Sequence, residues 1–483
     1  MHRVILVILL VLTCQISYSQ FEKNYIPIPV TDTIPSDVYD KMMQRLEKDK
    51  SLAKSQDSRK DVCKYKCTLY DQRTKGVINR FNKDYFMIDS VFTMYLRKVA
   101  DKIYDANPQL PRETTIYAYR SAVPNALCFG EGTIAVNLGL LRRLESESQV
   151  AFILCHELAH YHLKHSDLHI NKLAELNFDK SLKNDIKDIS KSEYNQYTRT
   201  KELLQGLTFD VTKHSRLHES EADSIGITYL LNTSYNPFEA IRTMEILDSC
   251  DVPLYHEILD LKKYFHFEQY PFKDSWLEYE ISDYEYAKGL YHDSDTLSTH
   301  PDCKKRIVNM NKQLASYSGK KKLPKDPYQA YKGLVQISEF EIIESLYHFK
   351  YYGRALYNTL RLLEKYPENT YLNAMVGKCL YHIYQYQSNK EFGKVVDLQD
   401  TRYSESYNRF LSFLHNLRLT EMSKICTMYM EQRSLKYGED EEFLYALILS
   451  SQLPTTGLFK EKMKQNYQQK YPKGKYINQI NKL

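Results

Sequence analysis

One stretch of the chain, residues 145–165, constrains the fold most, because it has the pattern of a buried helix yet carries ionisable side chains. Apolar residues recur there at helical spacing: they are Val150, Ile153, Leu154, Leu158 and Tyr161. The pattern predicts one helix with Ser146 as its N-cap. The same helix carries His156, Glu157 and His160. Burying these groups is costly unless they have a partner such as a metal ion.

The five residues His156-Glu157-Leu158-Ala159-His160 form an H-E-x-x-H motif. Residues four apart lie one turn apart on the same face of a helix, so the two imidazoles can bind one Zn²⁺ at about 2.0–2.1 Å. Glu157 can then reach a water on the metal and accept its proton. The alternative is that both histidines are core residues with other hydrogen-bond partners.

A catalytic zinc site needs a third protein ligand and an open position, and Glu219 is the predicted ligand. Asp223 lies one turn further along the same predicted helix, where its carboxylate can orient a ligating imidazole. Arg216 is expected to support the site from the same segment. His218 is a rival ligand by proximity, but its face is wrong if Glu219 and Asp223 both face the metal. Glu221 is expected to be a solvated surface carboxylate.

The pattern H-E-x-x-H followed by E-x-x-A-D resembles the zinc peptidase family that includes CAAX prenyl proteases, HtpX and soluble periplasmic proteases with a tetratricopeptide tail. The likeness covers about residues 85–315. It departs at Cys128-Phe129-Gly130-Glu131, where the family has a Pro-Gly-Gly type turn, and in the long insertion after His165. Three further segments resemble the family's pattern: Asn125-Ala126-Leu127, residues 132–141, and Thr299-His300-Pro301 with Arg306-Ile307.

The resemblance implies a zincin-like α+β fold that is mostly helical with a small sheet. It implies one Zn²⁺ per chain, held by His156, His160 and Glu219, and a gluzincin mechanism with Glu157 as general base. His300 is the candidate donor to the oxyanion of the reaction, and the alternative is a loop or capping histidine.

A strand predicted at residues 133–136 is expected to be a sheet edge that binds substrate by β-augmentation, or else an ordinary sheet strand. Three histidines that follow the metal motif, His162, His165 and His169, are expected to be structural or surface residues. His165 is interpreted as lying near the end of the predicted helix, where a positive charge interacts favourably with the helix dipole.

The predicted organisation has four parts. Residues 1–19 form a signal peptide, residues 20–84 a linker and helical segment, residues 85–318 the zinc metallopeptidase domain, and residues 325–483 an all-helical domain resembling tetratricopeptide repeats. A helical insertion is expected near residues 166–213. The repeat interpretation depends on the spacing of Ala355 and Pro367, with Ile342, Leu346 and Gly377 at further packing positions. The alternative is a generic helical bundle.

The first residues predict export. A basic start is followed by an apolar run of about ten residues, too short to span a bilayer, and by small residues that predict cleavage before Gln20. Lipid attachment at Cys14 is the less favoured alternative. No later segment is apolar enough to predict a transmembrane span in the mature chain. The protein is therefore expected to be periplasmic or secreted.

Charge and cysteine content narrow the range of functions. The net charge of +5 is spread along the chain without a dense basic block, so no nucleic-acid partner is expected. Eight cysteines follow the predicted leader; most lie in apolar surroundings and are predicted to be buried thiols, and Cys63 and Cys67 are spaced to share a helix face.

Two functions are consistent with these features. The first is an exported zinc endopeptidase that acts on protein or peptide substrates, with a role in envelope protein quality control and a protein partner for its helical tail. The second is a binding or assembly factor that works through the tail, with a peptidase domain that is self-inhibited or vestigial. The intact set of three ligands and Glu157 favours the first, because a purely structural zinc does not need a general base.

Overall fold

The computed structural model describes residues 21–30, 33–191, 216–250, 255, 257–278, 303–315, 317, 328–454 and 460–483. The predicted signal peptide, His300 and the residues between the two predicted domains, 319–324, lie outside these ranges. So do residues 192–215 of the predicted insertion.

Helices dominate the described chain, with one small sheet. The two short 3₁₀ turns are Asp274–Leu277 and Phe392–Lys394. In chain order the other elements are α1 (Ser36–Gln56), α2 (Lys60–Phe81), β1 (Phe86–Met87), α3 (Val91–Ala106), β2 (Thr115–Tyr119), β3 (Ala126–Cys128), β4 (Thr133–Asn137), α4 (Leu138–Leu141), α5 (Glu147–His162), α6 (His165–Phe178), α7 (Lys180–Lys191), α8 (residues 216–231), α9 (Glu239–Asp248), α10 (Lys262–Phe265), α11 (Cys303–Ala315), α12 (Tyr328–His348), α13 (Tyr352–Lys365), α14 (Thr370–Ser388), α15 (Glu405–Asn416), α16 (Leu419–Tyr437), α17 (Glu441–Ser450), α18 (Lys460–Lys470) and α19 (Ile477–Ile480).

The chain divides into two compact units. The first, here called the sheet unit, comprises Pro29–Asp251 and Lys288–Ser338. The second, the helical unit, comprises Met1–Ile28, Val252–Ala287 and Glu339–Leu483. The predicted α+β class, mostly helical with a small sheet and a helical C-terminal part, is confirmed.

The sheet has four strands in the order β1-β2-β4-β3. Strand β4 pairs in parallel with β2, through Thr133 opposite Thr115, and antiparallel with β3, through Val136 opposite Ala126. The prediction that residues 133–136 form an edge was therefore wrong, because both sides of β4 are hydrogen-bonded. Strand β3 is the terminal strand on that side of the sheet.

Helix α5 is the predicted helix of the metal motif. The side chain of Ser146 accepts a hydrogen bond from the backbone of Gln149 at 3.3 Å, as the N-cap prediction requires. The helix ends earlier than residue 165, however. Lys164 adopts a left-handed conformation with φ of 57°, which turns the chain so that His165 begins α6.

Two N-terminal helices pack against this part of the sheet unit. Arg73 on α2 forms ion pairs with Asp49 on α1 at 2.7 Å and with Asp167 on α6 at 2.8 Å. It also donates a hydrogen bond to the Ser166 hydroxyl at 3.1 Å. Gly130, with φ of +81°, lies so close to the start of α6 that an added Cβ would be 2.3 Å from the Ser166 side chain. The loop after β3 and the start of α6 are therefore held together.

The helical unit is built around α14. Asn369 caps this helix by accepting from the backbone of Leu372 at 2.9 Å, and nearly every residue of its first three turns is buried. It packs on α13, α16 and α17. The tetratricopeptide interpretation of this region stays a prediction beside the helical-bundle alternative.

The residues just after the predicted cleavage site pack on the helical unit. The Tyr25 ring stacks on Phe340 with centroids 4.4 Å apart, and its hydroxyl donates to the buried Glu341 carboxylate at 2.5 Å. The Asn24 amide donates to Asp440 at 3.2 Å. Residues 21–28, predicted to be part of a linker, are therefore packed against helices far along the chain.

The eight cysteines in the described residues are free thiols. Most are buried, as predicted: they are Cys63, Cys155, Cys303, Cys379 and Cys426. Cys63 and Cys67 both lie on α2. Among the described helices, none combines the length and apolar character needed to cross a bilayer.

Replacing Arg73 with alanine should loosen the loop that follows β3. The substitution leaves Asp49 and Asp167 without their cation, and both carboxylates are partly buried, with side chains 22% and 24% exposed. We expect the free energy of local opening at residues 129–132 to fall by about 2 kcal/mol, measured by amide hydrogen exchange. Lys75→Ala, at an exposed position on the same helix, is the control. Equal protection in both variants would contradict this role for Arg73.

Candidate metal centre

Two helices of the sheet unit supply the predicted ligands. His156 and His160 lie on α5, one turn apart, and Glu219 lies on α8. The helices approach closely at Gly226, where an added Cβ would be 3.2 Å from both the Cα and the backbone nitrogen of His156. Glu219, Asp223 and Gly226 are spaced to share one face of α8, so this face is the one that meets α5.

The three predicted ligands present their polar atoms to one point. Nε2 of His156 lies 3.0 Å from Nε2 of His160. The Glu219 carboxylate oxygens lie 3.5 Å from His156 Nε2 and 3.3 Å from His160 Nε2. A tetrahedral ion with ligand distances of about 2.0–2.1 Å holds its ligand atoms about 3.3 Å apart. The observed separations therefore fit a zinc-sized ion.

Asp223 and Arg306 form a buried ion pair behind the first ligand. Nδ1 of His156 lies 3.0 Å from Asp223 Oδ1. Arg306 on α11 donates to both Asp223 oxygens at 2.6 Å, and its Nη1 lies 3.0 Å from Glu219 Oε2. The guanidinium thereby fixes the carboxylate that orients His156 and also contacts a predicted ligand.

Sequence reasoning gave no role to Arg306, although a signal was present. The buried positions of α11 are Cys303, Arg306, Met310 and Leu314, which places an arginine on the apolar stripe of an amphipathic helix. A buried arginine requires a paired anion. The two acidic residues of the E-x-x-A-D motif provide it.

The pKa of His156 is set by opposing effects. Burial disfavours the charged imidazolium and by itself lowers the pKa, but the carboxylates of Asp223 and Glu219 outweigh it and raise the pKa of His156 to about 10. The pKa of Asp223 is lowered, because its contacts with Arg306 and His156 outweigh the effect of burial. In the metal-free protein His156 therefore carries a proton that a metal has to displace.

Glu157 is buried beside the first ligand, with 3% of its surface exposed. Burial and the nearby negative charge of Glu157 both raise the pKa of the Cys128 thiol. Cys128 lies on β3, which packs against α5. The predicted general base and the terminal strand of the sheet are therefore neighbours.

Of the two interpretations given for His165, structural or surface residue, the surface one was wrong, and the residue begins α6 instead of ending the helix of the metal motif. Its ring is 5% exposed, and its Nδ1 lies 2.8 Å from Nδ1 of His160. Its Nε2 lies 3.3 Å from the Glu221 carboxylate, and its ring stacks on His218 with centroids 4.3 Å apart. The left-handed turn at Lys164 produces this arrangement, because it folds the start of α6 back towards the metal motif.

The remaining predicted residues have different outcomes. His162 and His169 are exposed, as predicted. His218 is absent from the three-residue ligand group found among the described residues. Arg216 is half-buried on α8, and the supporting role predicted for it stays a prediction. His300 lies outside the described residues.

Comparison with known families agrees with this geometry. Residues 93–314 match the family described as Peptidase family M48. Peptidases of this family are metal-dependent, so the match and the His-His-Glu group together indicate a metallopeptidase that acts on a protein or peptide substrate. The N-terminal helices α1 and α2 and the helical unit from α12 onwards lie outside the matched residues. No curated protein matches the chain.

Replacing Arg306 with methionine should strongly destabilise the metal-free protein. The substitution leaves the carboxylates of Asp223 and Glu219 buried without their guanidinium. We expect a loss of about 3–5 kcal/mol in the free energy of unfolding, measured with urea in the presence of a chelator. Lys304→Met, at an exposed position of the same helix, is the control. Equal free energies of unfolding for Arg306→Met and Lys304→Met would show that the ion pair of Arg306 does not stabilise the metal-free protein.

Metal affinity at this site should rise with pH. Below a pKa of about 10 the metal-free site holds a proton on His156, and binding releases it. Between pH 6 and pH 9 the zinc affinity should therefore increase by about tenfold per pH unit for this one proton. A competition titration against a chromophoric chelator, corrected for the chelator's own pH dependence, measures it. An affinity independent of pH over this range would show that no proton is displaced.

Proposed function

We propose that the chain is an exported zinc-dependent endopeptidase, in which His156, His160 and Glu219 hold the metal and Glu157 is the general base. The observation that carries this proposal is the spacing of the ligand groups on two helices within the matched residues: the two Nε2 atoms lie 3.0 Å apart, and one Glu219 oxygen lies 3.3 Å from His160 while the other lies 3.5 Å from His156. The two-histidine, one-carboxylate donor set is that of a catalytic zinc site, which keeps a fourth position open.

The residues present fit such an ion in chemistry as well as in spacing. Imidazole and carboxylate groups are common zinc ligands, and the Nδ1 atom of each histidine lies close to a further polar group, as ligating histidines require. When bound, zinc supplies a Lewis acid that polarises the scissile carbonyl and makes water a better nucleophile at neutral pH.

Glu157 performs the proton transfers in this proposal. In the H-E-x-x-H arrangement, the residue that follows the first ligand is the one expected to reach the metal-bound water. It accepts a proton from the attacking water and passes it to the leaving amine. His300 remains the candidate donor to the developing oxyanion.

The substrate backbone is proposed to pair with β3. This strand is the terminal strand on its side of the sheet, and Cys128 at its end lies near Glu157. An extended peptide added to a sheet edge gains backbone hydrogen bonds, which orients the chain to be cut without requiring one particular side chain. This places the peptide along Ala126–Cys128 and not along residues 133–136.

Export, the zinc identity and the role of the tail belong to the same proposal. The leader-like residues 1–19 support a periplasmic or secreted location. The large helical unit, separate from the metal centre in sequence, supports protein binding by the tail. Together they favour a role in envelope protein quality control.

The Glu157→Gln variant tests the mechanism. It removes the base but keeps the size of the side chain, so casein cleavage by the zinc-loaded protein should fall by roughly 10²–10⁴-fold. Bound zinc, measured by metal analysis, should be unchanged.

The control is Glu175→Gln, at an exposed position of α6, which should cleave casein as the wild type does. Cleavage that survives in Glu157→Gln with zinc still bound would exclude Glu157 as the base. A wild type that binds zinc and cleaves nothing, while its helical unit captures a partner, would favour the binding-factor alternative.

A further inference from the structure

We propose that His165 is a positioning residue for the metal centre: it accepts a hydrogen bond from Nδ1 of His160 and is itself fixed by Glu221. The inference rests on the proposed zinc site, because it concerns how one of the proposed ligands is held. It adds two residues to the centre, neither of which sequence analysis had connected with the metal.

The geometry forms a chain of three side chains. Nδ1 of His165 lies 2.8 Å from Nδ1 of His160, and the two rings are nearly perpendicular, with centroids 4.9 Å apart and an interplanar angle of 77°. The other nitrogen, Nε2, lies 3.3 Å from Oε2 of Glu221. His165 therefore contacts the proposed ligand with one nitrogen and a carboxylate with the other.

The protons in this chain follow from the chemistry of its two ends. An ionised carboxylate can only accept, and a neutral imidazole has one donor and one acceptor nitrogen. The nitrogen of His165 that faces Glu221 therefore carries the proton, and its Nδ1 is the acceptor. Nδ1 of His160 must then be the donor at 2.8 Å. This leaves the lone pair of His160 Nε2 directed at the ligand group, as metal binding requires.

The position of the His165 ring is fixed on several sides. It is parallel to His218 within 10° at 4.3 Å, and it is buried. The next residues, Ser166 and Asp167, are held by Arg73. These contacts hold the ring, and with it the acceptor for His160, in the observed position.

The two proposed histidine ligands are consequently supported by different chemistry. Nδ1 of His156 faces Asp223, a buried carboxylate paired with Arg306. Nδ1 of His160 faces a second imidazole, whose carboxylate partner Glu221 is 54% exposed. A polar group behind a ligating histidine typically affects metal affinity by about 10–100-fold. We expect the loss of the His165 imidazole to weaken metal binding by a factor in the same range.

The test measures zinc affinity of the full-length protein by competition with a chromophoric chelator. His165→Phe keeps a flat ring that can stack on His218 but has no nitrogen, so zinc should bind about 10–100-fold more weakly. His165→Asn places an amide oxygen near the position of Nδ1 and should recover most of that loss. His169→Phe, at an exposed position on the same helix, should bind as the wild type does.

The outcomes separate this inference from the proposed function. If the wild type binds no zinc, both fall. If the wild type binds zinc and His165→Phe matches His169→Phe, the positioning role is wrong while the zinc site stands. The third outcome is that zinc binding weakens equally in His165→Phe and His165→Asn and that both variants, measured metal-free in the presence of a chelator, melt at a lower temperature than the wild type. This result would show that His165 acts through packing and would overturn the hydrogen-bonding role.

Discussion

The close crossing of α5 and α8 is the constraint on which the candidate site depends. Gly226 lets the backbone of α8 approach His156, and this approach brings Glu219 and Asp223 to opposite sides of the His156 ring. A side chain at 226 would meet the backbone of His156 at 3.2 Å, so the two helices would have to shift slightly apart at the point where the ligands are held. The site is therefore a property of helix packing, and the short H-E-x-x-H motif supplies only half of it.

Electrostatics explain why these helices tolerate so many buried ionisable groups. Glu219 and Asp223 are buried in contact with the guanidinium of Arg306, and Glu157 is buried next to His156 on α5. A divalent cation at the ligand group would add positive charge beside these buried acidic side chains. Without the ion, the carboxylates of Asp223 and Glu219 outweigh the effect of burial and raise the pKa of His156, which favours a proton on its imidazole. Metal binding and protonation thus compete for the same buried charge.

The sequence predicted the parts of the site that depend on helical spacing. His156 and His160, and Glu219 and Asp223, are each four residues apart, so their shared faces follow from the period of a helix. It could not predict relations between distant segments. The placement of β3 outside β4 depends on strand pairing, which a run of β-branched residues leaves open. The contact of His165 with the metal motif was not foreseen, because nothing in its neighbours signals the left-handed turn at Lys164. Arg306 received no role, because its partner Asp223 lies 83 residues away.

The proposed function depends on one zinc ion bound between α5 and α8. Crystals of the zinc-loaded protein, measured on both sides of the zinc absorption edge, test it most directly. The account predicts one strong anomalous peak at about 2.0–2.1 Å from the Nε2 atoms of His156 and His160 and from a Glu219 oxygen. A zinc peak bound elsewhere, or no peak at this position in fully loaded protein, would contradict it.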